Sequence, residues 1–261
     1  MATETRDDGC ILVVDGLVAG YGNMTILNET SARIRRGAVT TVIGPNGAGK
    51  STLFNVLAGV IEPDSGSVAF EGRSLLGLRP DQRARAGLVR TFQISRELRG
   101  LTVLENVLLA SPGQSGDAAW RCFATPRRVR AEQEAAIARA RKLLEQVDLW
   151  PLANEPAGNL SGGQKKLLEI SRALMQEPEI ILLDEPAAGV SPLMIKVLGE
   201  TILRLRAQGI TFAIIEHDMD VIAELCEPIY VLAEGRTLTH GTFREVASNR
   251  EVMQAYLGKV A

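Results

Sequence analysis

A glycine-rich stretch in the first fifth of the chain reads Gly44-Pro45-Asn46-Gly47-Ala48-Gly49-Lys50-Ser51-Thr52. It fits the pattern G-x-x-x-x-G-K-[ST], in which glycines let backbone N–H groups converge on phosphate oxygens. An apolar run, Thr40 to Ile43, precedes the stretch, and a helical pattern, Ser51 to Ala58, follows it. This order of strand, loop and helix predicts a phosphate-binding loop, because a helix N-terminus favours an anion. From average residue usage, a chance match in this length has a probability of about 1%.

Four side chains have the chemistry to hold a triphosphate and its metal ion. Within the stretch, Lys50 is placed to reach the β- and γ-phosphates, and the Ser51 hydroxyl is placed to ligate Mg²⁺. Asp184 and Glu185 follow an apolar strand pattern, Ile180 to Leu183. Asp184 would lie at the carboxyl end of that strand, where open α/β sheets bind ligands, and would hold the water shell of Mg²⁺. Glu185 would then orient or deprotonate an attacking water.

Three further residues are weaker candidates. His217 follows the strand pattern Thr211 to Ile215 by two residues, at the same predicted sheet edge as Lys50. That position favours a γ-phosphate contact over a purely structural role. Tyr21 lies between two glycines, where it either stacks on a base or is an ordinary turn aromatic. Gln93 by itself indicates nothing.

A second helix in the chain begins in a way that suits an anion. The stretch Leu160-Ser161-Gly162-Gly163-Gln164 opens a helical pattern that runs to about Met175. Ser161 is a plausible N-cap, and the glycines leave N–H groups of the first turn open to an anion. Since one phosphate loop is already present, this second start indicates either two phosphate sites or one site built from two chains.

The strand and helix patterns indicate an α/β fold. Short β-type runs between residues 10 and 43, and again at 68–70, predict a small mixed sheet beside the first core strand. A short helix is predicted at 82–87. From Glu179 onward strands and helices alternate, which predicts a parallel sheet covered by helices. The alternating segments are strands at 180–183, 211–215 and 229–232 and helices at 192–208 and 218–226. His240 lies beyond them in an apparent turn and receives no role.

Residues 101–175 are mainly helical in pattern. Apolar residues at steps of three and four lie on one helix face, and they are Ile137, Ala140, Leu144 and Val147. Arginines and glutamates interleave between residues 127 and 145, which favours a solvated helix face over a binding patch. Residues 111–118 have the composition of a loop.

Composition narrows the class of protein. The 261 residues are 46% hydrophobic and 23% charged, with a formal net charge of -2, so the chain is globular and has no broad field for a nucleic acid. No apolar run approaches the roughly 18 to 20 residues that span a bilayer, and the acidic start of the chain without a following apolar segment predicts no secretion signal. Three cysteines without metal-ligand spacing favour idle thiols in a reducing cytoplasm.

Taken together, these motifs resemble the nucleotide-binding subunit of ATP-binding cassette (ABC) transporters, from about Leu12 to Gly258. The specific evidence is that Leu160 to Gln164 matches the signature motif of the family and lies between the two nucleotide motifs. The resemblance implies one domain over residues 10–258, after a flexible N-terminus at 1–9. It implies an α/β P-loop NTPase core with a mostly parallel sheet and an N-terminal antiparallel β subdomain. An α-helical subdomain would be inserted over about 94–172.

The resemblance also implies ATP and Mg²⁺ as ligands and a head-to-tail dimer, in which each ATP lies between the phosphate loop of one subunit and the signature of the other. In this family an aromatic residue stacks on adenine, which Tyr21 matches. Gln93 matches a loop glutamine that approaches Mg²⁺ and senses the membrane partner, and His217 matches the switch histidine. The residues that would bind ATP across the dimer are Ser161, Gly162, Gly163 and Gln164.

Within the family, the chain is most similar to the ATPases of bacterial branched-chain amino acid importers. The similar stretches are Arg90 to Gln93, Leu101 to Val107, Asp184 to Gly189, Ile215 to Met219 and Ala255 to Gly258. One short stretch, Ala19 to Gly22, is instead similar to the companion ATPase of these systems. The loop Ala187 to Pro192 matches the one that crosses the dimer interface, with Ser191 where Asn or Asp is usual.

The resemblance implies partners and a location. The chain would pair with itself or a companion ATPase and would act on separate membrane permease subunits, whose coupling helix would dock near Gln93 to Leu101. A periplasmic solute-binding protein would act indirectly. The location would be cytoplasmic, peripheral on the inner face of the membrane. The alternatives are an export ATPase of the lipopolysaccharide-export type, which shares the Tyr-Leu-Gly ending, a soluble ABC ATPase without transport, and a P-loop GTPase.

Overall fold

The structure is a computed structural model, and it describes residues 9–91, 97–112 and 126–257. These residues form two compact units. The first unit comprises residues 9–91, 179–188 and 202–257, and the second comprises residues 97–112, 126–178 and 189–201.

The strands of the described residues all belong to the first unit. They are β1 (Cys10–Tyr21), β2 (Met24–Arg35), β3 (Val39–Ile43), β4 (Ser65–Phe70), β5 (Arg73–Ser74), β6 (Leu88–Arg90), β7 (Ile180–Asp184), β8 (Thr211–Ile215), β9 (Ile229–Ala233) and β10 (Arg236–Gly241). One sheet has the order β2-β1-β4-β5, and all its pairings are antiparallel. The prediction of a mixed sheet was wrong, because short hairpins at Gly22-Asn23 and Glu71-Gly72 join only antiparallel strands.

The second sheet has the order β10-β9-β3-β8-β7-β6. Its pairings are parallel except for the β9–β10 hairpin. Every residue of β3, β7 and β8 is buried, as expected for strands covered on both faces. The predicted parallel sheet is therefore confirmed. His240 is in β10 and stacks on Tyr230 with ring centroids 5.1 Å apart, so its assignment to a turn was wrong.

The α-helices of the described residues are α1 (Lys50–Leu57), α2 (Pro80–Arg85), α3 (Val103–Leu108), α4 (Pro126–Gln146), α5 (Gly162–Met175), α6 (Pro192–Ala207), α7 (Met219–Leu225), α8 (Phe243–Ser248) and α9 (Arg250–Leu257). Helices α3, α4 and α5 belong to the second unit, and α6 begins in the second unit and ends in the first. Across residues 9–91, 97–112 and 126–257, no helix combines the length and the apolar character that crossing a bilayer requires.

A buried arginine secures the carboxyl end of α1. Arg83, in α2, is 1% exposed, and its Nη1 donates to the carbonyls of Val56 at 2.5 Å and Leu57 at 3.0 Å. Its Nε donates to the carbonyl of Leu78 at 2.9 Å. The last carbonyls of a helix lack intrahelical partners and carry partial negative charge, so a cation is well placed there.

The helical pattern of the second unit is confirmed with one exception. Ala140, Leu144 and Val147 are buried, but Ile137 is 44% exposed. Val129, about three turns before Ala140, is also buried, so Ile137 lies at the exposed edge of this face. The prediction of a solvated charged face is confirmed by three ion pairs at a spacing of four residues, Arg128–Glu132, Arg130–Glu134 and Arg141–Glu145.

Candidate functional site

The strand register brings three predicted segments to one edge of the parallel sheet. In the β3–β8 pairing Val42 lies opposite Ile215, and in the β7–β8 pairing Asp184 also lies opposite Ile215. The phosphate loop, Glu185 and His217 therefore all follow strand ends that are level with one another. This is the carboxyl edge of the sheet, where α/β proteins bind ligands.

The phosphate loop is packed so closely that two of its glycines have no room for a side chain. Gly44 has a φ of +151°, and a Cβ there would lie 2.1 Å from the carbonyl oxygen of Leu232 in β9. Gly49 has a φ of +101°, and a Cβ there would lie 2.7 Å from Cδ2 of Leu27. The loop is anchored further by the Ala48 carbonyl, which accepts from the N–H of Gly235 at 3.1 Å. Pro45, Asn46 and Gly47 lie between these anchors, and Asn46 and Gly47 are exposed.

Lys50 lies over the phosphate loop. Its Nζ donates to the carbonyls of Gly44 at 2.7 Å and Pro45 at 3.0 Å. Burial lowers the pKa of Lys50, and the carboxylates of Glu185 and Asp184 partly offset that change. The ammonium group therefore lies within the field of both predicted carboxylates. Ser51 is exposed at the start of α1, whereas Thr52 is buried.

Asp184 has one carboxylate oxygen that is engaged and one that is not. Its Oδ2 accepts from Nη2 of Arg90 at 2.9 Å. Its Oδ1 is buried and has no hydrogen-bond partner among the described residues. Buried polar atoms of this kind need a partner, and carboxylate and hydroxyl oxygens such as those of Asp184 and Ser51 are the hard ligands that suit Mg²⁺. The donor set therefore fits the predicted metal ion.

Glu185 has a backbone conformation that is uncommon for a residue with a side chain. Its φ is +48°. Its N–H donates to the carbonyl of Ile215 at 2.9 Å, and its carbonyl accepts from the N–H of Ala188 at 3.1 Å. The turn that follows β7 is thereby joined directly to the end of β8.

Glu216 is a site residue that the sequence analysis did not single out. It is 1% exposed, and its Oε1 accepts from the N–H of Ala187 at 2.9 Å. Its Oε2 accepts from the N–H groups of His217 at 2.8 Å and Asp218 at 3.3 Å. One buried carboxylate thus holds the turn after Glu185 against the segment of His217, whose side chain is 66% exposed. The available signal was an acid that directly follows a fully apolar strand and precedes His217.

Tyr21 is the last residue of β1, and the turn itself is formed by Gly22 and Asn23. Its side chain is 53% exposed. The hydroxyl oxygen accepts from Nδ2 of Asn55 in α1 at 2.8 Å. The ring is therefore fixed at its hydroxyl end and accessible elsewhere, which suits a surface on which a base could stack.

The signature stretch lies in the second unit, at the start of α5. Ser161 is the N-cap, since its Oγ accepts from the N–H of Gln164 at 3.3 Å and its own N–H donates to Oε1 of Gln164 at 2.9 Å. The predicted cap is confirmed. A Cβ at Gly163 would lie 2.7 Å from Cβ of Met194 in α6, and a Cβ at Gly162 would lie 3.2 Å from the carbonyl of Gly189.

Several predictions fall partly or wholly outside the described residues. Gln93 lies outside them, and so do residues 1–8 of the predicted N-terminus, residues 93–96 of the predicted docking segment and residues 113–118 of the predicted loop. Ser191, the departure in the interface loop, is described, and its carbonyl accepts from the N–H of Ile195 at 2.9 Å at the start of α6.

The first unit has the sheet order, loop and strand-end acids of a P-loop nucleoside triphosphatase. A sequence profile described as "ABC transporter" matches residues 27–188, and the chain belongs to the ABC transporter family. The high-affinity branched-chain amino acid transport ATP-binding protein LivG of Salmonella typhimurium is 40% identical over 250 residues, covering 95% of this chain and 98% of LivG.

Relatives from another lineage and a solved structure agree with this assignment. A probable LivG of Methanocaldococcus jannaschii is 38% identical over 260 residues, covering 97% of this chain and all of that protein. A crystal structure of a nucleotide-free ATP-binding cassette from an ABC transporter matches with a TM-score of 0.84 and 38% identity, covering 96% of this chain and all of the other. The predicted family and fold class are therefore confirmed.

Proposed function

We propose that this chain is the ATP-hydrolysing subunit of a bacterial ABC importer for branched-chain or related amino acids. It would act from the cytoplasmic face on a separate membrane permease. The observation that carries the proposal is similarity to LivG proteins over nearly the whole length of both chains. A site for the hydrolysis is available at one edge of the parallel sheet, where the phosphate loop, Asp184, Glu185 and His217 lie.

In the proposed reaction, water attacks the γ-phosphate in line with the leaving oxygen. Glu185 orients that water, and two hydrogen bonds hold the backbone of Glu185 in place. Lys50 and His217 stabilise the charge that develops on the phosphate oxygens. Ser51 and Asp184 would hold Mg²⁺, with Gln93 near it, and the ion would neutralise phosphate charge when bound. Tyr21 would stack on the adenine.

The proposed site is completed by a second subunit. The loop from Gly44 to Thr52 would bind the phosphates from one side, while Ser161, Gly162, Gly163 and Gln164 of another copy or a companion ATPase would bind them from the other. The capping pair of Ser161 and Gln164 fixes the first turn of α5, so its N-terminal dipole has a set direction for an anion. ATP would then close the dimer, and hydrolysis would open it.

A groove in the second unit supports docking of a permease. It has a volume of about 270 Å³ and is lined by Leu101, Glu105, Leu108 and Leu109. Leu98 and Leu109 are 47% and 59% exposed. An apolar concave surface with an acidic side chain suits a short helix of a membrane partner. The groove includes Leu101, the last residue of the segment where the coupling helix of the permease is expected to dock.

Reconstitution with the permease and the solute-binding protein of the same transporter tests the proposal. We expect the rate of ATP hydrolysis in proteoliposomes to rise when the binding protein is loaded with leucine, isoleucine or valine. The Glu185→Gln variant would bind ATP with similar affinity and hydrolyse it very slowly. Failure to copurify with any permease would contradict a transport role, and stimulation only by other solutes would overturn the proposed substrate class. Near-normal turnover of Glu185→Gln would remove Glu185 from its role.

A further inference from the structure

A continuous line of hydrogen bonds joins the aromatic side chain at the base end of the site to the carboxylate at its metal end. Asn55 is the second of its four members: Nδ2 donates to the hydroxyl of Tyr21 at 2.8 Å, and Oδ1 accepts from Nη1 of Arg90 at 2.5 Å. Nη2 of Arg90 then donates to Oδ2 of Asp184 at 2.9 Å. Tyr21, Asn55, Arg90 and Asp184 all belong to the first unit, and we name them the relay.

Arg90 donates to two members of the relay, Asn55 and Asp184. It is the last residue of β6, and its side chain is 13% exposed while that of Asp184 is 2% exposed. Its guanidinium carbon lies 6.0 Å from the centre of the Phe54 ring. Only the planar fork of an arginine can donate to two acceptors in fixed directions, because a lysine is a point charge without such a fork.

The relay leaves the second oxygen of Asp184 for another ligand. Arg90 engages Oδ2, and the buried Oδ1 has no hydrogen-bond partner among the described residues. The ion pair therefore sets the rotation of the carboxylate and the direction in which Oδ1 faces. Through Asn55, the same guanidinium also sets the position of the Tyr21 hydroxyl.

We propose that Arg90 is a positioning residue that couples metal binding at Asp184 to base binding at Tyr21. This inference rests on the proposed function, in which those two residues contact Mg²⁺ and adenine. When a divalent cation binds at Oδ1, the carboxylate shares less of its charge with Arg90, and the guanidinium interacts more strongly with Asn55. Because hydrogen bonds in a line polarise one another, Asn55 then holds the Tyr21 hydroxyl more firmly. The coupling is positive and reciprocal.

Calorimetric titration of the full chain with ATP, in EDTA and in Mg²⁺, measures this coupling without relying on turnover. The ratio of the two dissociation constants is the gain in ATP affinity from Mg²⁺. We expect Tyr21→Phe, which keeps the ring and removes only the hydroxyl, to reduce the gain by about 2- to 5-fold. Asn55→Ala and Arg90→Lys would reduce it similarly.

Inorganic triphosphate is the matched ligand, since it has the phosphates and no base. Its gain from Mg²⁺ would be unchanged in Tyr21→Phe and Asn55→Ala. The matched control variant is Tyr230→Phe, which removes a tyrosine hydroxyl that donates to the Arg33 carbonyl at 2.9 Å, outside the relay. We expect it to lower the melting temperature and to keep the gain for ATP.

The outcomes separate the relay from the proposed function. If Tyr21→Phe weakens ATP binding by the same factor in EDTA and in Mg²⁺, the two ends are independent and the relay is overturned. If the unsubstituted chain shows no Mg²⁺-dependent ATP binding, the proposed function itself fails. Tyr21 is exposed, so the Tyr21→Phe result stands even if Arg90→Lys does not fold.

Discussion

At the residue scale, Glu216 holds two backbone segments with one carboxylate. It accepts hydrogen bonds from three backbone N–H groups, which are those of Ala187, His217 and Asp218. Glu185, two residues before Ala187, has a φ of +48° that persists only where its surroundings hold it. The relative placement of Glu185 and His217 thus depends on one side chain that need not touch the nucleotide.

Glu216→Gln tests that dependence. The amide nitrogen of glutamine cannot accept a hydrogen bond, so Ala187 loses its acceptor if the nitrogen replaces Oε1, and His217 and Asp218 lose theirs if it replaces Oε2. A displacement of about 1 Å can cost about 100-fold in rate, and we expect the kcat of ATP hydrolysis to fall by about 10- to 100-fold, with KM changed much less. Steady-state kinetics provides both values. Glu224→Gln, on the exposed face of α7, is the control, and equal rates in the two variants would refute the role.

A second prediction concerns Cys226, which is buried at the end of α7. Burial raises its pKa to about 11 from the ordinary value of 9.0 for a thiol. The native state therefore holds this proton more tightly than the unfolded state. The resulting stabilisation is present below pH 9 and is lost as pH rises towards 11. We expect alkylation of native Cys226, followed by peptide mass spectrometry, to keep accelerating up to about pH 11. A rate that levels off near pH 9 would contradict the raised pKa.

The side-chain network was the least predictable part of the site. The motif spacing placed Lys50, Asp184 and His217 at one sheet edge, because loop and strand signals are local in sequence. Arg90, Asn55 and Glu216 act through contacts with residues up to 94 positions away, such as the pair Arg90–Asp184. No periodicity or motif encodes such a pair, since it depends on how β6, β7 and α1 pack.

At the element scale, α1 is stabilised at both ends by other parts of the chain. Its N-terminus is the phosphate loop, and its C-terminal carbonyls are held by Arg83. The helix has eight residues, which is too short to be stable alone in water. Its order therefore depends on tertiary contacts, of which Arg83 is the most buried polar one.

Arg83→Met tests this dependence. Methionine fills much of the space and donates no hydrogen bond, so the carbonyls of Val56, Leu57 and Leu78 lose the guanidinium, although Val56 still accepts from the N–H of Gly59 at 3.0 Å. We expect the free energy of unfolding to fall by about 3 kcal/mol, because hydrogen bonds to a charged group contribute about 1.5 to 3 kcal/mol each. Urea denaturation followed by circular dichroism measures the change. The control is Arg79→Met, at an exposed arginine that directly precedes α2, the helix that contains Arg83. An equal effect of both variants would count against the role of Arg83.

Elements with a strong local signal were predicted well from the sequence. The strand predicted at Thr211 to Ile215 is confirmed at both ends, because five apolar or β-branched residues lie between clear breaks. The α2 helix begins two residues before its predicted start, since Pro80 suits the first turn. Spacing predicted that Ile137 lies on the buried face, but spacing does not show where the edge of that face lies, and Ile137 is exposed while Val129 in the same helix is buried.

At the scale of the whole molecule, two helix N-termini suited to phosphate lie in different units, at α1 and α5. In the proposed dimer each ATP contacts one of each. Isolated chain would therefore bind ATP readily and hydrolyse it poorly, and the rate per chain would rise with protein concentration.

Mixing two inactive variants tests this arrangement more sharply. Lys50→Ala disables the phosphate loop, and Ser161→Arg disables the signature. A mixed dimer contains one site with both defects and one intact site, so an equal mixture would recover about a quarter of the unsubstituted sites by random pairing. ATPase activity of the mixture is compared with that of each variant alone. Absence of any recovery would exclude a self-paired, head-to-tail site.

The whole-chain architecture was accessible from sequence because the family motifs occur in a set order. The assignment of chain segments to the two units was harder to predict from the sequence. The helical subdomain was expected at about 94–172, while the second unit of the structure also includes residues 189–201, which follow the acid pair. A return segment of this kind depends on contacts that form only after the chain has folded, such as Gly163 against Met194.

The ion pair between Arg90 and Asp184 also bears on which cation the site would prefer. Calcium takes about six to eight oxygen ligands and often uses both oxygens of a carboxylate, whereas magnesium keeps several waters and needs one or two carboxylates. With Oδ2 occupied by a guanidinium, Asp184 offers a single oxygen. Chelation by both oxygens would compete with a buried ion pair. If Asp184 holds the metal ion as proposed, Arg90 would favour magnesium over calcium without contacting either ion.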